Sequence, residues 1–176
     1  MATPGPDGSF SLKDVRPGRY FLRAGSQPQG WALRDAMMNG RDIADDAFDI
    51  SADKLGEVVV TFTSRPTEVV VAAYGSSGQP DPRAAVYVVA SDQRYWTDYG
   101  WNPRRLRSAR TDLEGNARIL GLPPGSYLVA AVAADRDSEL RSLIETIQFV
   151  SRQGQRVQLG DGEHIRLRLQ ATRGSR

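Results

Sequence analysis

The sequence predicts an all-β protein made of two tandem copies of one antiparallel β-sandwich unit, the first incomplete, with one short helix in the second. Three observations predict it. The chain matches itself at an offset of 107 positions: Gly8, Pro17, Gly18, Tyr20 and Ala24 recur without a gap as Gly115, Pro124, Gly125, Tyr127 and Ala131. A self-match at fixed spacing makes a chain an array of one structural unit. Turn residues recur between short runs rich in β-branched and aromatic residues, the pattern of a sandwich or barrel. The run 164–171 alternates strictly: Ile165, Leu167, Leu169 and Ala171 fall on one side, and His164, Arg166, Arg168 and Gln170 on the other. That is a strand with one dry and one wet face.

The repeat divides the chain into a partial unit, 1–65, and a complete one, 66–173. The match extends to Leu33, Ala36, Met37 and Gly40 over Leu140, Leu143, Ile144 and Ile147, and to Val58, Val60 and Phe62 over Ile165, Leu167 and Leu169. By the offset, the opening strand of the first unit would precede residue 1, so the chain is expected to be a segment of a longer protein. The edge left open is expected to be covered by the second unit, by the N-terminal tail or by another molecule, including a second copy of the chain.

Strands are expected in the second unit at 67–74, 84–91, 105–111, 116–120, 126–134, 155–159 and 163–171. Between the fourth and fifth, Leu122-Pro123-Pro124-Gly125-Ser126-Tyr127 is a turn. Proline presets φ, glycine accepts positive φ, and the tyrosine that follows enters the core. Leu140, Leu143, Ile144 and Ile147 are spaced i, i+3, i+4, i+7, which predicts a helix over Ser138 to Phe149 with Ser138 as N-cap. Its counterpart, Trp31 to Asn39, is expected to be a helical turn.

The repeated motif runs through Glu114, Gly115, Ile119, Leu122, Pro124, Gly125, Tyr127, Val129 and Ala131, and again through Asp7, Gly8, Leu12, Val15, Pro17, Gly18, Tyr20, Leu22 and Ala24. It resembles the carboxypeptidase regulatory-like domain, a transthyretin-like (prealbumin-like) β-sandwich that recurs in arrays in large bacterial surface and periplasmic proteins. The strand Val69 to Tyr74, the turn Gly75 to Pro80 and the strand Ala84 to Val89 fit the opening of that domain. The resemblance implies a non-catalytic accessory module of a secreted or periplasmic protein, used for spacing or for protein or carbohydrate contact. It brings no shared catalytic residue.

Composition excludes several mechanisms. The chain has 176 residues, a net charge of +2, no cysteine and one histidine. A thiol nucleophile, a disulfide and a Cys- or His-rich zinc site are therefore ruled out. A Ser-His-Asp triad would have to use His164, on the wet face of the last strand, and no Gly-x-Ser-x-Gly elbow accompanies it. No apolar run approaches the roughly 18 residues of a membrane helix, and Met1 to Pro6 has no apolar core of a signal peptide. The near-neutral charge argues against nucleic acid, although Arg94, Arg104, Arg105, Arg107 and Arg110 cluster in sequence. Lys13 and Lys54 are the only lysines, so 21 of the 23 basic residues are arginine.

Two clusters are candidate sites. The loop 92–105 sets two Trp and two Tyr among arginines; Arg94, Tyr95, Trp96, Tyr99, Trp101 and Arg104 are its candidate contacts for a carbohydrate or protein. The alternative role for these rings is to pack down and order the loop. At the opposite end of the unit the strand directions bring together Asp81, Asp112, Glu114, Asp135, Asp137 and Glu139. Asp112, Glu114, Asp135, Asp137 and Glu139 are candidate oxygen ligands for a divalent cation such as calcium. With a metal-bound water they would suit a hydrolase of small esters or phosphoesters. The alternative for the acids is turn and cap formation, with no cofactor. The run Asp42, Asp45, Asp46, Asp49 and Asp53 is expected to be a solvated turn.

Overall fold

The computed structural model describes residues 2–25, 29–51, 56–96, 103–134 and 142–172. Its twelve strands form all-β sandwich layers, and every described strand pair joins strands on the same side of residue 66. The first group contains β1 (Gly18–Tyr20), β2 (Ala32–Met38), β3 (Arg41–Asp42), β4 (Phe48–Ile50) and β5 (Val58–Thr63). The second contains β6 (Glu68–Tyr74), β7 (Ala85–Ala90), β8 (Leu106–Arg110), β9 (Asn116–Leu120), β10 (Gly125–Val132), β11 (Gln155–Leu159) and β12 (His164–Gln170).

In the second group a four-stranded antiparallel sheet, β11-β10-β7-β8, faces a three-stranded sheet, β12-β6-β9. The seven strands fall where the β-rich runs between turn residues predict them. Between the sheets lies a core of Val69, Val71, Val86, Val88, Val129, Tyr127 and Leu159, all essentially buried. β7 and β10 read as unbroken apolar runs because both of their faces are covered. Their second face packs Val89, Leu128 and Ala130 against Ile147 and Val150 of the helix.

That helix, α1, spans Leu143–Gln153, so it starts later than the sequence spacing suggests. Ser142 is its N-cap, in a reciprocal capping box with Glu145: the Ser142 hydroxyl accepts from the Glu145 N–H at 3.2 Å, and the Glu145 carboxylate accepts from the Ser142 N–H at 3.1 Å. Two orphan donors are satisfied at once. Ser138 and Leu140 lie outside the described residues. The buried face is Leu143, Thr146, Ile147 and Val150, and Ile144, expected on it, is 63% exposed.

The first group differs where the repeat is weakest. Residues 32–38 form strand β2, not a helical turn. β2 pairs antiparallel with β5, whereas β12, the equivalent of β5, pairs parallel with β6. β5 thus has β2 as its one described neighbour and is the terminal strand of the sheet β3-β2-β5. A register shift between Leu33 and Asp35 leaves Arg34 as a bulge in the β2–β5 ladder. The small core holds Leu33, Ala36, Ile43 and Ala44, packed by Leu22, Phe48, Val58 and Val60.

Candidate functional site

The bulge in β2 decides the next level of structure. Extra residues in a ladder turn backbone groups away from the partner strand. Here the carbonyls of Leu33 and Arg34 both accept from Nη2 of Arg104, at 2.7 and 3.1 Å, across about seventy positions of sequence. Arg104 lies with Arg105 in the turn into β8 and is 8% exposed. Its Nη1 lies 3.5 Å from Oδ1 of Asp45, and Nε of Arg105 donates to Oδ2 of the same carboxylate at 2.8 Å. One aspartate of the first group of strands therefore holds two consecutive arginines beside the second.

Arg105 carries the contact inward. Its Nη1 donates to the Pro124 carbonyl at 3.1 Å and to the Tyr127 hydroxyl at 3.2 Å, and that hydroxyl donates to the Pro123 carbonyl at 2.6 Å. Two guanidinium groups stack on the Tyr95 ring, Arg105 at 4.6 Å and Arg94 at 4.4 Å from its centroid. Burial pushes the Tyr127 phenol up to about 12, against the opposing pull of Arg105. Burial works against the Arg105 charge as well, but Tyr127, Asp45 and Tyr95 outweigh it and hold the group above its ordinary value. Arg104 and Arg107 sit below theirs, first through burial and then through repulsion from neighbouring arginines.

The joint rearranges the sequence-derived candidates. Arg104 is buried in the contact between units and does not face a ligand from the aromatic loop. Trp96 is half-buried, with its indole N–H donating to the Ala90 carbonyl at 2.7 Å and its ring against the core beneath α1. Tyr95 packs against the inter-sheet core. Arg94 is exposed, paired with Asp92 at 3.1 Å, and donates to the Tyr95 hydroxyl. These three residues lie in a single 3₁₀ turn, Gln93–Trp96. Tyr99 and Trp101 lie outside the described residues.

At the acidic end, Asp112 serves its turn. Its Oδ1 accepts from the N–H groups of Glu114 and Asn116 at 3.1 and 2.7 Å. Glu114 is exposed. Asp135, Asp137 and Glu139 lie outside the described residues, and among the described residues no group of three His, Cys, Asp or Glu could hold a metal ion. In the first unit, Asp42 accepts from the Ala36 and Ala44 N–H groups at 3.1 and 2.9 Å. Asp45, expected in a solvated turn, is the charge at the joint. Its partners are sixty positions away, and only the run of arginines after Pro103 hints at them. His164 is exposed on β12 with Nδ1 3.3 Å from Glu68.

A cavity of about 170 Å³ lies at the same joint. Arg23, Trp31 and Leu33 line it from the first unit, and Arg104, Arg107 and Leu120 from the second.

No family model matches the chain. No curated protein matches it. Among solved structures it is similar to the minor pilin of Streptococcus agalactiae, with 13% identity over 96% of this chain and 66% of that one and a TM-score of 0.40. It is similar to a streptococcal ancillary pilin at 15% identity, over 89% of this chain and 45% of that one, with a TM-score of 0.40. Similarity to the Bacillus anthracis TIE protein covers 89% of this chain and 34% of that one, at 13% identity and a TM-score of 0.38. The chain thus spans about a third of the TIE protein and about half of the ancillary pilin. Likeness of this degree assigns neither activity nor partner.

Proposed function

We propose that the chain is a non-catalytic accessory module, two transthyretin-like sandwich units held as one stiff element of a larger secreted or periplasmic bacterial protein. The observation that carries this reading is Asp45, 12% exposed, held between Arg104 and Arg105 of the other unit. A flexible linker between units needs no buried ion pair across them. Residues 64–67, the whole connection between β5 and β6, are also too few to act as a tether with reach of their own.

Contact with a carbohydrate or protein partner belongs to the same reading. Asp92, Gln93 and Arg94 are the exposed residues of the described part of the aromatic loop. No described cluster favours the hydrolase alternative, so it is not developed.

Small-angle scattering on the wild-type chain and on Asp45→Asn tests the stiffness. The wild-type curve is expected to fit one rigid two-unit particle, and the variant curve a broader distribution of shapes. A wild-type curve that itself demands freely jointed units would sink the reading.

A further inference from the structure

We propose that the outer edge of β12 takes an extended peptide of a partner protein, one with carboxylates at alternate positions and apolar side chains between them. The inference names a surface and a partner for the protein contact proposed for this module, and it does not rest on the joint.

β12 is the terminal strand of the sheet β12-β6-β9, and β11 is terminal in the opposite sheet, β11-β10-β7-β8. The last bonds of β12 show which of its backbone groups face outward. The Ala171 N–H donates to the Tyr74 carbonyl of β6, whereas Thr172 turns the other way, donating to the Ala131 carbonyl and accepting from the Ala133 N–H. Backbone groups alternate in direction along a strand, so those of His164, Arg166 and Arg168 point away from β6. Among the described residues no backbone group meets them there. An unpaired row of this kind is a template for a further strand.

The side chains along the edge set the pattern of that strand. Ile165 and Leu167 pack against the inter-sheet core but are only half-buried, as is Val157 of β11. The inner face of an added strand would cover them, which calls for apolar residues. His164, Arg166 and Arg168 stand exposed on the outer face. Arg166 pairs with no group among the described residues, and Arg168 lies over the Tyr74 ring, 4.9 Å from its centroid. Register sets Arg166, Val70 and Arg118 in one row across the sheet, and Arg168, Ala72 and Asn116 in the next. Glu68 is the one carboxylate on this face among the described residues; it is paired with Arg118 and lies 3.3 Å from Nδ1 of His164. Opposite charges facing each other across a strand pair are stabilising, so the outer positions of the incoming strand call for Asp or Glu. Arg166 and Arg168 are about 6.6 Å apart along the strand, and alternate side chains of an extended peptide repeat at the same interval. That match of period selects a peptide over a compact anion.

The test is a ¹H–¹⁵N titration of the whole chain, at constant ionic strength, with a capped hexapeptide of alternating Glu and Val. Saturable shifts are expected at the amides of Arg166 and Arg168. A block peptide of the same composition, and the alternating peptide fully N-methylated, are each expected to bind at least about tenfold more weakly, because one loses the period and the other the backbone donors. Arg166→Gln and Arg168→Gln are each expected to weaken binding about threefold. Arg152→Gln, on α1, is expected to leave it unchanged. Equal affinity for the block peptide, for the methylated peptide or for an oligouronate of the same charge would overturn the proposal, as would unchanged affinity in the two β12 variants. No saturable shift, with scattering still that of one rigid particle, overturns this site and leaves the accessory-module reading standing.

Discussion

Tyr20 and Tyr127 stand at equivalent places in the two units and make the same bond: each hydroxyl donates to the carbonyl four residues upstream, at 2.8 Å to Arg16 and at 2.6 Å to Pro123. Their surroundings differ. Tyr127 is fully buried, with Arg105 donating to its hydroxyl, and Tyr20 is half-buried. A tyrosine that ties the start of a strand to the preceding corner is a recurring device of β-sandwiches. Tyr127→Phe is expected to cost about 1 kcal/mol at neutral pH for the lost bond, and Tyr20→Phe less, by urea denaturation.

The same burial makes Tyr127 a source of alkaline instability. Its phenol is raised from 10.0 to about 12 in the folded chain. Between those values the unfolded chain has lost the proton and the folded chain keeps it. Stability from this group is therefore complete below pH 10 and falls as pH rises to 12, by on the order of 2–3 kcal/mol. Urea midpoints measured from pH 8 upward should fall more steeply in the wild-type chain than in Tyr127→Phe. Parallel slopes would show that Tyr127 is not the group responsible.

Gly8 and Gly115 also correspond, and both have φ of +79°. A Cβ at Gly115 would lie 2.7 Å from the Ala73 carbonyl oxygen of β6, and one at Gly8 would meet nothing within 4 Å. Gly8→Ala is expected to cost about 1–2 kcal/mol, from left-handed strain alone. Gly115→Ala adds a backbone clash, and its loss should exceed that of Gly8→Ala by at least about 2 kcal/mol. Thermal denaturation of the two variants makes the comparison, and equal losses would mean that β6 yields at Ala73.

The strands of the second unit could be read from the sequence because turn residues bound each β-rich run, and in β12, with one face wet, period two survives. β2 could not, and its bulge is the reason. The extra residue at Arg34 shifts the pleat, so that Leu33 and Ala36 are both buried three positions apart, which imitates a helix. For the site, the aromatic–arginine loop stood out in composition, but composition says nothing of direction. Arg104 turns toward the other unit because two carbonyls freed by that bulge await it, and a bulge leaves no residue signature. Asp45 looked like one acid among five.

Two arginines of that loop should separate sharply on substitution. Arg94 pairs with Asp92 at the surface, both more than half exposed, and such pairs contribute at most about 1 kcal/mol. Arg104 is buried against Asp45 and two carbonyls. Its loss leaves two carbonyls without their donor and Asp45 with Arg105 alone, which is expected to cost about 3 kcal/mol. Arg94→Ala should leave the denaturation curve nearly unmoved. Arg104→Ala should lower the midpoint or split the curve into two transitions, as each unit melts alone. Similar curves for the two variants would place the joint's stability elsewhere.

The helix offers the last separation, because the face predicted from spacing and the face observed differ by one residue. Ile147 is 4% exposed beneath Val89 and Leu128, whereas Ile144 is 63% exposed. Ile147→Ala removes buried methyl groups and leaves a cavity under α1, expected to cost about 2–4 kcal/mol. Ile144→Ala removes little that is buried and gains helix propensity, so a change within about 0.5 kcal/mol is expected. Ser142→Ala breaks the capping box and falls between, at about 1 kcal/mol. Guanidinium denaturation followed by far-UV circular dichroism ranks the three. A large loss at Ile144 would mean that this face is covered in solution, and would turn the exposed isoleucine into a contact surface.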